Sequence, residues 1–159
     1  MLLLSIVPGH AQEILKPGRM PAGIKFQSTT YSAYSGNNKL WEIQAERVEG
    51  DPKRPKAANL HGTLYRKGKT RYTLESSVAY INTSTSDMYF PKGAVFKSPS
   101  GEEIKTHILL WKANEKRFLG SKGVWMRNFR TEVEGDRMIL DQSYDNVKLE
   151  GHVKSVMTQ

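Results

Sequence analysis

The chain has 159 residues, a formal net charge of +8 and no cysteine. This length is typical of one domain that buries its own core. The lack of cysteine excludes disulfides, thiolate metal sites, cysteine nucleophiles and a lipidated cysteine anchor. The positive charge indicates an anionic partner, such as nucleic acid, anionic lipid or acidic glycan.

The chain begins with a short apolar segment and a linker. Residues 1–7 are almost entirely apolar, but a membrane-spanning helix needs about 20 residues. Small residues precede a possible cut after Ala11, so we interpret 1–11 as the remnant of a signal peptide or of a longer membrane anchor, with an ordinary N-terminus as the alternative. Prolines and a glycine predict a linker over 12–22. The folded domain then covers 23–159.

The domain consists of about nine runs of alternating apolar and polar residues, each near ten residues long, separated by polar turn clusters. This spacing predicts an all-β fold of antiparallel strands, arranged as a sandwich or a barrel.

A repeat of about 30 residues underlies these runs. Four times, a small residue preceded by apolar residues at two-residue spacing is followed 16 or 17 residues later by a Gly-x-apolar step. The glycines are 31, 30 and 28 residues apart, which predicts about four stacked strand–turn–strand units. The small residues are Ala45, Ser76, Thr106 and Gly135, and the glycines are Gly62, Gly93, Gly123 and Gly151.

Local propensity conflicts with the repeat in one segment. Residues 102–119 contain no glycine or proline, start with acids and end with bases, which is typical of a helix. The repeat instead predicts a strand over Ile104–Lys112, a turn over Ala113–Lys116 and a return strand over Arg117–Arg127. We follow the repeat, because one unit is expected to fold like the other three.

The alternation gives each strand one apolar and one polar face. The apolar face forms a core in most sandwiches, so a ligand for it needs separate support. The repeat assigns these residues to the inner face: Trp41, Ile43, Leu60, Leu64, Tyr72, Leu74, Val95, Ile104, Trp125, Val133, Leu149 and Val153.

The sequence contains no pattern typical of an active site. The four histidines are isolated, no metal-ligand spacing occurs, and nucleophile-elbow, phosphate-loop and dinucleotide motifs are absent. The sequence therefore predicts a protein that is not an enzyme and that has no metal site or cofactor.

Seven basic residues lie between Lys53 and Arg71. Because two adjacent turns carry these charges, we expect them at one end or edge of the sheet. With Tyr65 nearby, the stretch favours a basic all-β module that binds nucleic acid as one function. A solvated surface is the other interpretation.

The segment Phe26–Val48, FQSTTYSAYSGNNKLWEIQAERV, resembles the opening hairpin of the LptC family of lipopolysaccharide-export proteins. The L-x-G-x-apolar steps at 60–64 and 149–153 resemble a repeat that this family shares with the LptA/OstA-like periplasmic proteins. The resemblance covers 23–156. Members of the family usually carry one transmembrane helix, of which 1–7 is at most a remnant, so a soluble LptA-like bridge is the alternative within the same export system.

The resemblance implies a β-jellyroll of two antiparallel sheets that forms an open trough. It implies a periplasmic carrier, tethered to or associated with the inner membrane, that receives lipopolysaccharide from an inner-membrane ABC transporter. The acyl chains would lie against the inner-face residues named above, and the lipid would pass to the next LptA-like β-jellyroll protein. Nucleic acid is not a partner in this interpretation.

The resemblance also implies docking by strand addition at both ends of the sheet, where free edges allow self-association. The N-terminal strand Ile24–Tyr34 would pair with the transporter and the C-terminal strand Leu149–Val156 with the next carrier. The edge residues are Lys25, Phe26, Gln27, Ser28, Thr29 and Thr30 at one end, and Leu149, Glu150, Gly151, His152, Val153 and Lys154 at the other.

Overall fold

Alternating apolar and polar residues produce strands throughout the described chain. The computed structural model describes residues 2–8, 24–26, 28–141, 143–144 and 146–157, and within these ranges it contains strands and no helix. The all-β prediction is therefore confirmed. The strands are β1 Leu2–Pro8, β2 Ile24–Phe26, β3 Thr29–Ser35, β4 Asn38–Gly50, β5 Lys56–Arg66, β6 Lys69–Ile81, β7 Met88–Phe90, β8 Ala94–Lys97, β9 Glu103–Lys112, β10 Arg117–Arg127, β11 Thr131–Gly135, β12 Arg137–Leu140, β13 Val147–Glu150 and β14 Lys154–Met157.

The described strands form one hydrogen-bonded sheet with antiparallel pairings. The strand order is β1-β3-β4-β5-β6-β7-β9-β10-β11-β14. Strand β8 also lies between β6 and β9, β12 pairs with β10 and β13, and β2 pairs with β4. Most neighbours along the chain are thus neighbours in the sheet, as expected for short connections.

The segment with conflicting propensities is a β-hairpin. Strands β9 and β10 pair from Lys112 with Arg117 to Glu103 with Arg127, and residues 113–116 form the turn between them. The repeat therefore predicted this segment correctly, because cross-strand pairing overrides local helix propensity.

A line of breaks crosses the sheet close to three of the four predicted glycines. Gly93 separates β7 from β8, Gly123 lies in a register shift of β10, and Gly151 separates β13 from β14. All three have positive φ angles, of 72°, 111° and 78°. This left-handed region favours glycine, so the glycines allow the strands to bend there. Gly62 differs, because β5 continues through it.

Backbone contacts explain why small residues face these breaks. The Ser76 hydroxyl donates a hydrogen bond to the Gly93 carbonyl oxygen at 2.7 Å. The Asp136 amide, directly after Gly135, donates to the Gly151 carbonyl at 2.9 Å. The strands approach closely at these points, and a larger side chain would separate them.

The sheet folds over so that its apolar face encloses the core. Trp41 on β4 and Trp111 on β9 are separated by β5, β6 and β7 in the strand order, yet their rings lie 5.5 Å apart. Such contact requires the two parts of the sheet to face each other. The core therefore lies between them.

The basic stretch is divided between the two ends of β5, so the expectation of one shared end was wrong. Lys53 and Lys56 lie at the β4–β5 turn, whereas Lys67 and Lys69 lie at the β5–β6 turn. An 11-residue strand, here Lys56–Arg66, is roughly 35 Å long and separates the two groups.

The N-terminal segment partly enters the sheet, since residues 2–8 form β1 and pair along β3. The predicted linker over 12–22 lies outside the described residues. The interpretation of 1–11 as a targeting or anchor remnant stays a prediction.

Candidate functional site

Five aromatic rings form the centre of the interior. The Trp111 ring lies 5.5 Å from Trp41 and 4.7 Å from Phe118. Phe96 lies 5.7 Å from Phe118 and 6.1 Å from Tyr72, both edge to face. All five side chains are buried. Each such pair contributes about 0.5–1.5 kcal/mol beyond its buried area, so the cluster stabilises the contact between the two parts of the sheet.

Two polar atoms in this interior have no partner among the described residues. The indole Nε1 atoms of Trp41 and Trp111 are buried and make no hydrogen bond. A buried donor left unsatisfied costs about 1–3 kcal/mol. A ligand with carbonyl or hydroxyl oxygens would satisfy these donors.

Most of the predicted inner-face residues do point inward, and burial raises the pKa of the Tyr72 hydroxyl to about 12. Leu149 is half-buried and packs against the core, and Val133 is half-buried. Those that are fully buried are Trp41, Ile43, Leu60, Leu64, Tyr72, Leu74 and Ile104.

Val95 lies on the outer face, so its predicted placement is corrected. Its neighbours Ala94 and Phe96 are buried, and Val95 pairs with the exposed residues Glu75 and Lys105. Directly paired residues project from the same face of a sheet. Phe90 before the break and Ala94 and Phe96 after it share one inward parity, so Gly93 and Val95 lie on the outward parity.

Trp125 also lies on the outer face. It pairs with Lys105 and Glu134, and the Lys105 ammonium lies 5.1 Å from its ring centre. Its neighbour Val124 is buried instead. The inward parity of β10 is the same before and after the register shift, because Phe118, Gly120 and Val124 are all buried. Gly123 lies on the opposite parity, so the residue two positions after it points outward.

Sequence reasoning missed several large core residues, which are Trp111, Tyr31, Tyr144, Phe90, Phe96 and Phe118. The repeat placed Val95 on the inner face and therefore left Phe96 out. The inward parity of β9 changes between Thr106 and Leu109, so alternation from Ile104 does not select Trp111. Tyr144 lies in a polar turn cluster, where no local pattern indicates burial.

Tyr144 joins the two facing parts of the sheet. Its hydroxyl donates a hydrogen bond to the Leu40 carbonyl oxygen at 3.1 Å, and its own carbonyl accepts one from Arg71 Nε at 3.1 Å. The side chain is fully buried, and this burial raises its pKa above the ordinary range of tyrosine. The contact links the β12–β13 connection to β4 and β6, and we call it the Tyr144 latch.

The predicted N-terminal edge is covered by the chain itself. Thr29 and Thr30 lie on β3, where they pair with Pro8 and Val7 of β1. The expectation that β3 is a free edge was therefore wrong. The remaining residues of that prediction are distributed as follows: Lys25 and Phe26 pair with β4, Ser28 is exposed, and Gln27 lies outside the described residues.

The predicted C-terminal strand is divided in two. Leu149 and Glu150 belong to β13, which pairs with β12, whereas Lys154 begins β14 at the end of the strand order. Gly151 and His152 connect them. The predicted single strand over 149–156 is corrected accordingly, because the positive φ at Gly151 turns the chain.

Strand β14 and the residue before it, Val153, expose apolar side chains, so the predicted inner-face placement of Val153 is corrected. Val153, placed on the inner face by the repeat, is 51% exposed, and Val156 and Met157 are 60% and 76% exposed. Phe129, in the nearby β10–β11 turn, is 90% exposed. A free strand edge with apolar side chains is suited to pairing with another chain.

His152 and Asp136 form an ion pair beside this edge, with 2.7 Å between His152 Nδ1 and Asp136 Oδ2. The hydrogen bond to the carboxylate raises the pKa of His152 above its ordinary value of 6.5. The two residues join the β11–β12 and β13–β14 breaks.

The described ranges contain no cluster of three or more metal-ligating side chains. Nor does any helix in them have the length and hydropathy required to cross a bilayer.

Comparisons with known proteins identify the family. The model of the family described as "Lipopolysaccharide-assembly, LptC-related" matches residues 10–158. A search of curated protein sequences found no match. Among solved structures, the chain is similar to LptH, described as the LptA homologous periplasmic component of the conserved lipopolysaccharide transport device from Pseudomonas aeruginosa. The identity is 6%, the TM-score is 0.36, and the match covers 99% of this chain and 96% of that chain. Because the family model matches nearly the whole chain, the protein belongs to the LptC-related family and is a non-enzymatic component of lipopolysaccharide transport.

Proposed function

We propose that the protein is a periplasmic carrier that receives lipopolysaccharide from an inner-membrane ABC transporter and passes it to the next β-jellyroll protein. One observation carries the proposal. The apolar face of the sheet closes on itself around an interior with two unpaired indole donors, on Trp41 and Trp111. Burial of acyl chains against the apolar surface contributes about 0.8 kcal/mol of binding free energy per CH₂. The acyl carbonyl or hydroxyl oxygens can accept hydrogen bonds from the indole donors.

In this proposal the two parts of the sheet separate to admit lipid, because aromatic side chains occupy the interior of the closed form. The Tyr144 latch is the contact that opens. Opening breaks its two hydrogen bonds, exposes the buried Tyr144 ring and separates the aromatic cluster, whose apolar contacts the lipid must replace. The lipid then replaces aromatic contacts with acyl contacts of similar chemistry.

The edges of the sheet provide the docking positions. The transporter adds a strand at the β3 edge and competes there with β1, which pairs with β3 over seven residues. The next carrier adds a strand at β14, whose apolar side chains are exposed. In this proposal the protein remains associated with the inner membrane through its N-terminal segment.

A charge placed on the inner face tests the carrier function. Leu74 is buried, whereas its neighbour Thr73 on the same strand is exposed, so Leu74→Arg and Thr73→Arg add the same charge to opposite faces. We expect Leu74→Arg to abolish co-purification of lipopolysaccharide and Thr73→Arg to leave it unchanged. Circular dichroism must first show that both variants are folded, since a buried charge also destabilises. Equal lipid content in the two folded variants would contradict an interior path.

A further inference from the structure

A pocket of about 930 Å³ opens at the end of the sheet where the β3–β4 and β5–β6 turns meet the β12–β13 connection. Its lining includes Asn38, Lys39, Tyr65, Lys67 and Ser143. The described lining residues include three basic side chains and no carboxylate. We call it the cationic pocket.

Three basic residues end adjacent strands beside the pocket. Arg66 on β5 pairs directly with Lys69 on β6. Trp41 on β4 pairs with Leu64 on β5. Lys39 comes two residues before Trp41 and Arg66 comes two residues after Leu64, so Lys39 and Arg66 lie at neighbouring strand ends. Adjacent strands are about 4.8 Å apart, so the basic residues at these strand ends lie close together.

The turn that follows adds a fourth cation. Lys67 and Gly68 have φ angles of 53° and 78°, which form a tight turn at the tip of the β5–β6 hairpin. Lys67 is exposed beside the pocket. Lys39 forms an ion pair with Glu42, at 2.7 Å, and Glu42 is not among the described lining residues. The described lining residues therefore carry positive side chains and no acid.

The pocket adjoins the lipid interior through Leu40. This residue lines the pocket, is 6% exposed and accepts the hydrogen bond of the Tyr144 latch. Its neighbour Trp41 belongs to the central aromatic cluster. A molecule held at the pocket thus has direct access to the interior when the latch opens.

We propose that the cationic pocket binds the phosphate groups of a phosphorylated lipid whose acyl chains enter the interior beside Leu40. The proposal rests on the carrier function proposed above and names the part of the lipid that the surface recognises. Phosphate matches the pocket because it offers several acceptor oxygens and a negative charge to clustered Lys and Arg donors.

Two double variants of equal charge test the pocket. Lys67→Gln with Lys69→Gln removes two cations beside it, and Lys53→Gln with Lys56→Gln removes two from the same basic stretch at the opposite end of β5. Binding of diphosphoryl lipid A, phosphate-free lipid A and inorganic pyrophosphate is measured by isothermal titration calorimetry in one detergent buffer. We expect the first double variant to bind diphosphoryl lipid A about tenfold more weakly than the wild type. The second should bind as the wild type does, and phosphate-free lipid A should bind all three proteins alike.

Each other outcome overturns the proposal in a different way. Equal losses of affinity for diphosphoryl lipid A in both double variants would indicate a general effect of net charge and not a site at the pocket. Equal binding of the two lipids by the wild type would refute the pocket and leave the carrier function intact. Pyrophosphate bound as tightly as the lipid would indicate a site for free phosphate. Failure of both lipids to bind the wild type would refute the carrier function itself.

Discussion

The substitution Gly93→Ala tests whether the line of breaks shapes the sheet. A Cβ atom at this position would lie 1.8 Å from the Thr106 carbonyl oxygen and 2.8 Å from its carbonyl carbon. Both are backbone atoms of β9, so relief requires β8 and β9 to separate. The φ of 72° adds left-handed strain of about 1–2 kcal/mol for alanine.

Gly68→Ala is the matched control. Gly68 has a similar φ of 78°, but its Cβ would meet no atom within 4 Å. Gly68→Ala therefore incurs only the strain of about 1–2 kcal/mol. Gly93→Ala incurs a similar strain plus about 1–3 kcal/mol of overpacking, or about 2–5 kcal/mol in all.

Urea unfolding followed by tryptophan fluorescence measures both free energies of unfolding. We expect a clearly lower midpoint for Gly93→Ala than for Gly68→Ala, with similar m-values. Equal midpoints would refute the argument that β8 and β9 approach too closely at this break to accept a side chain.

Three further predictions concern the latch, the aromatic cluster and the C-terminal edge. Tyr144→Phe removes the donor to the Leu40 carbonyl, so thermal denaturation should show that the free energy of unfolding falls by about 1–3 kcal/mol. An unchanged midpoint would contradict the latch. Phe118→Ala leaves a cavity in the aromatic cluster and should lower the free energy of unfolding in urea by about 3–5 kcal/mol. A decrease below about 1 kcal/mol would mean that the interior is loosely packed. The His152 imidazole should titrate above 6.5 by NMR and return towards that value in Asp136→Asn. Because the folded pKa is raised, the pair stabilises the fold below pH 6.5, and this contribution disappears as the pH rises through the folded pKa. Identical titration in the two proteins would contradict the ion pair.

Alternation predicted the strands well wherever they run without interruption. Trp41 and Leu74 lie inside long regular strands, and their inward orientation follows from local alternation alone. The repeat also identified the hairpin over 104–127 against its helical propensity. Spacing succeeded there because the same cross-strand geometry recurs in each unit.

The Gly-x-apolar step failed as a guide to orientation where the glycine lies in a strand break. Gly62 shares the parity of its buried neighbours Leu60 and Leu64. Gly93 and Gly123 lie in irregularities on the parity opposite to the buried residues, so Val95 and Trp125, two positions later, point outward. The length of such an irregularity depends on contacts with the neighbouring strands, which a single sequence does not display. The pairing of β1 with β3 and the burial of Tyr144 likewise depend on segments distant in sequence.

Photo-crosslinking from two aromatic positions on β10 tests the interior lipid path most directly. Phe118 points into the aromatic cluster, and Trp125 lies on the outer face of the same strand. Because both residues are aromatic, p-azidophenylalanine replaces one aromatic side chain with another at each position. We predict lipopolysaccharide adducts in cells from position 118 and none from position 125. Adducts from position 125 alone, or from both positions equally, would contradict a lipid path inside the folded sheet.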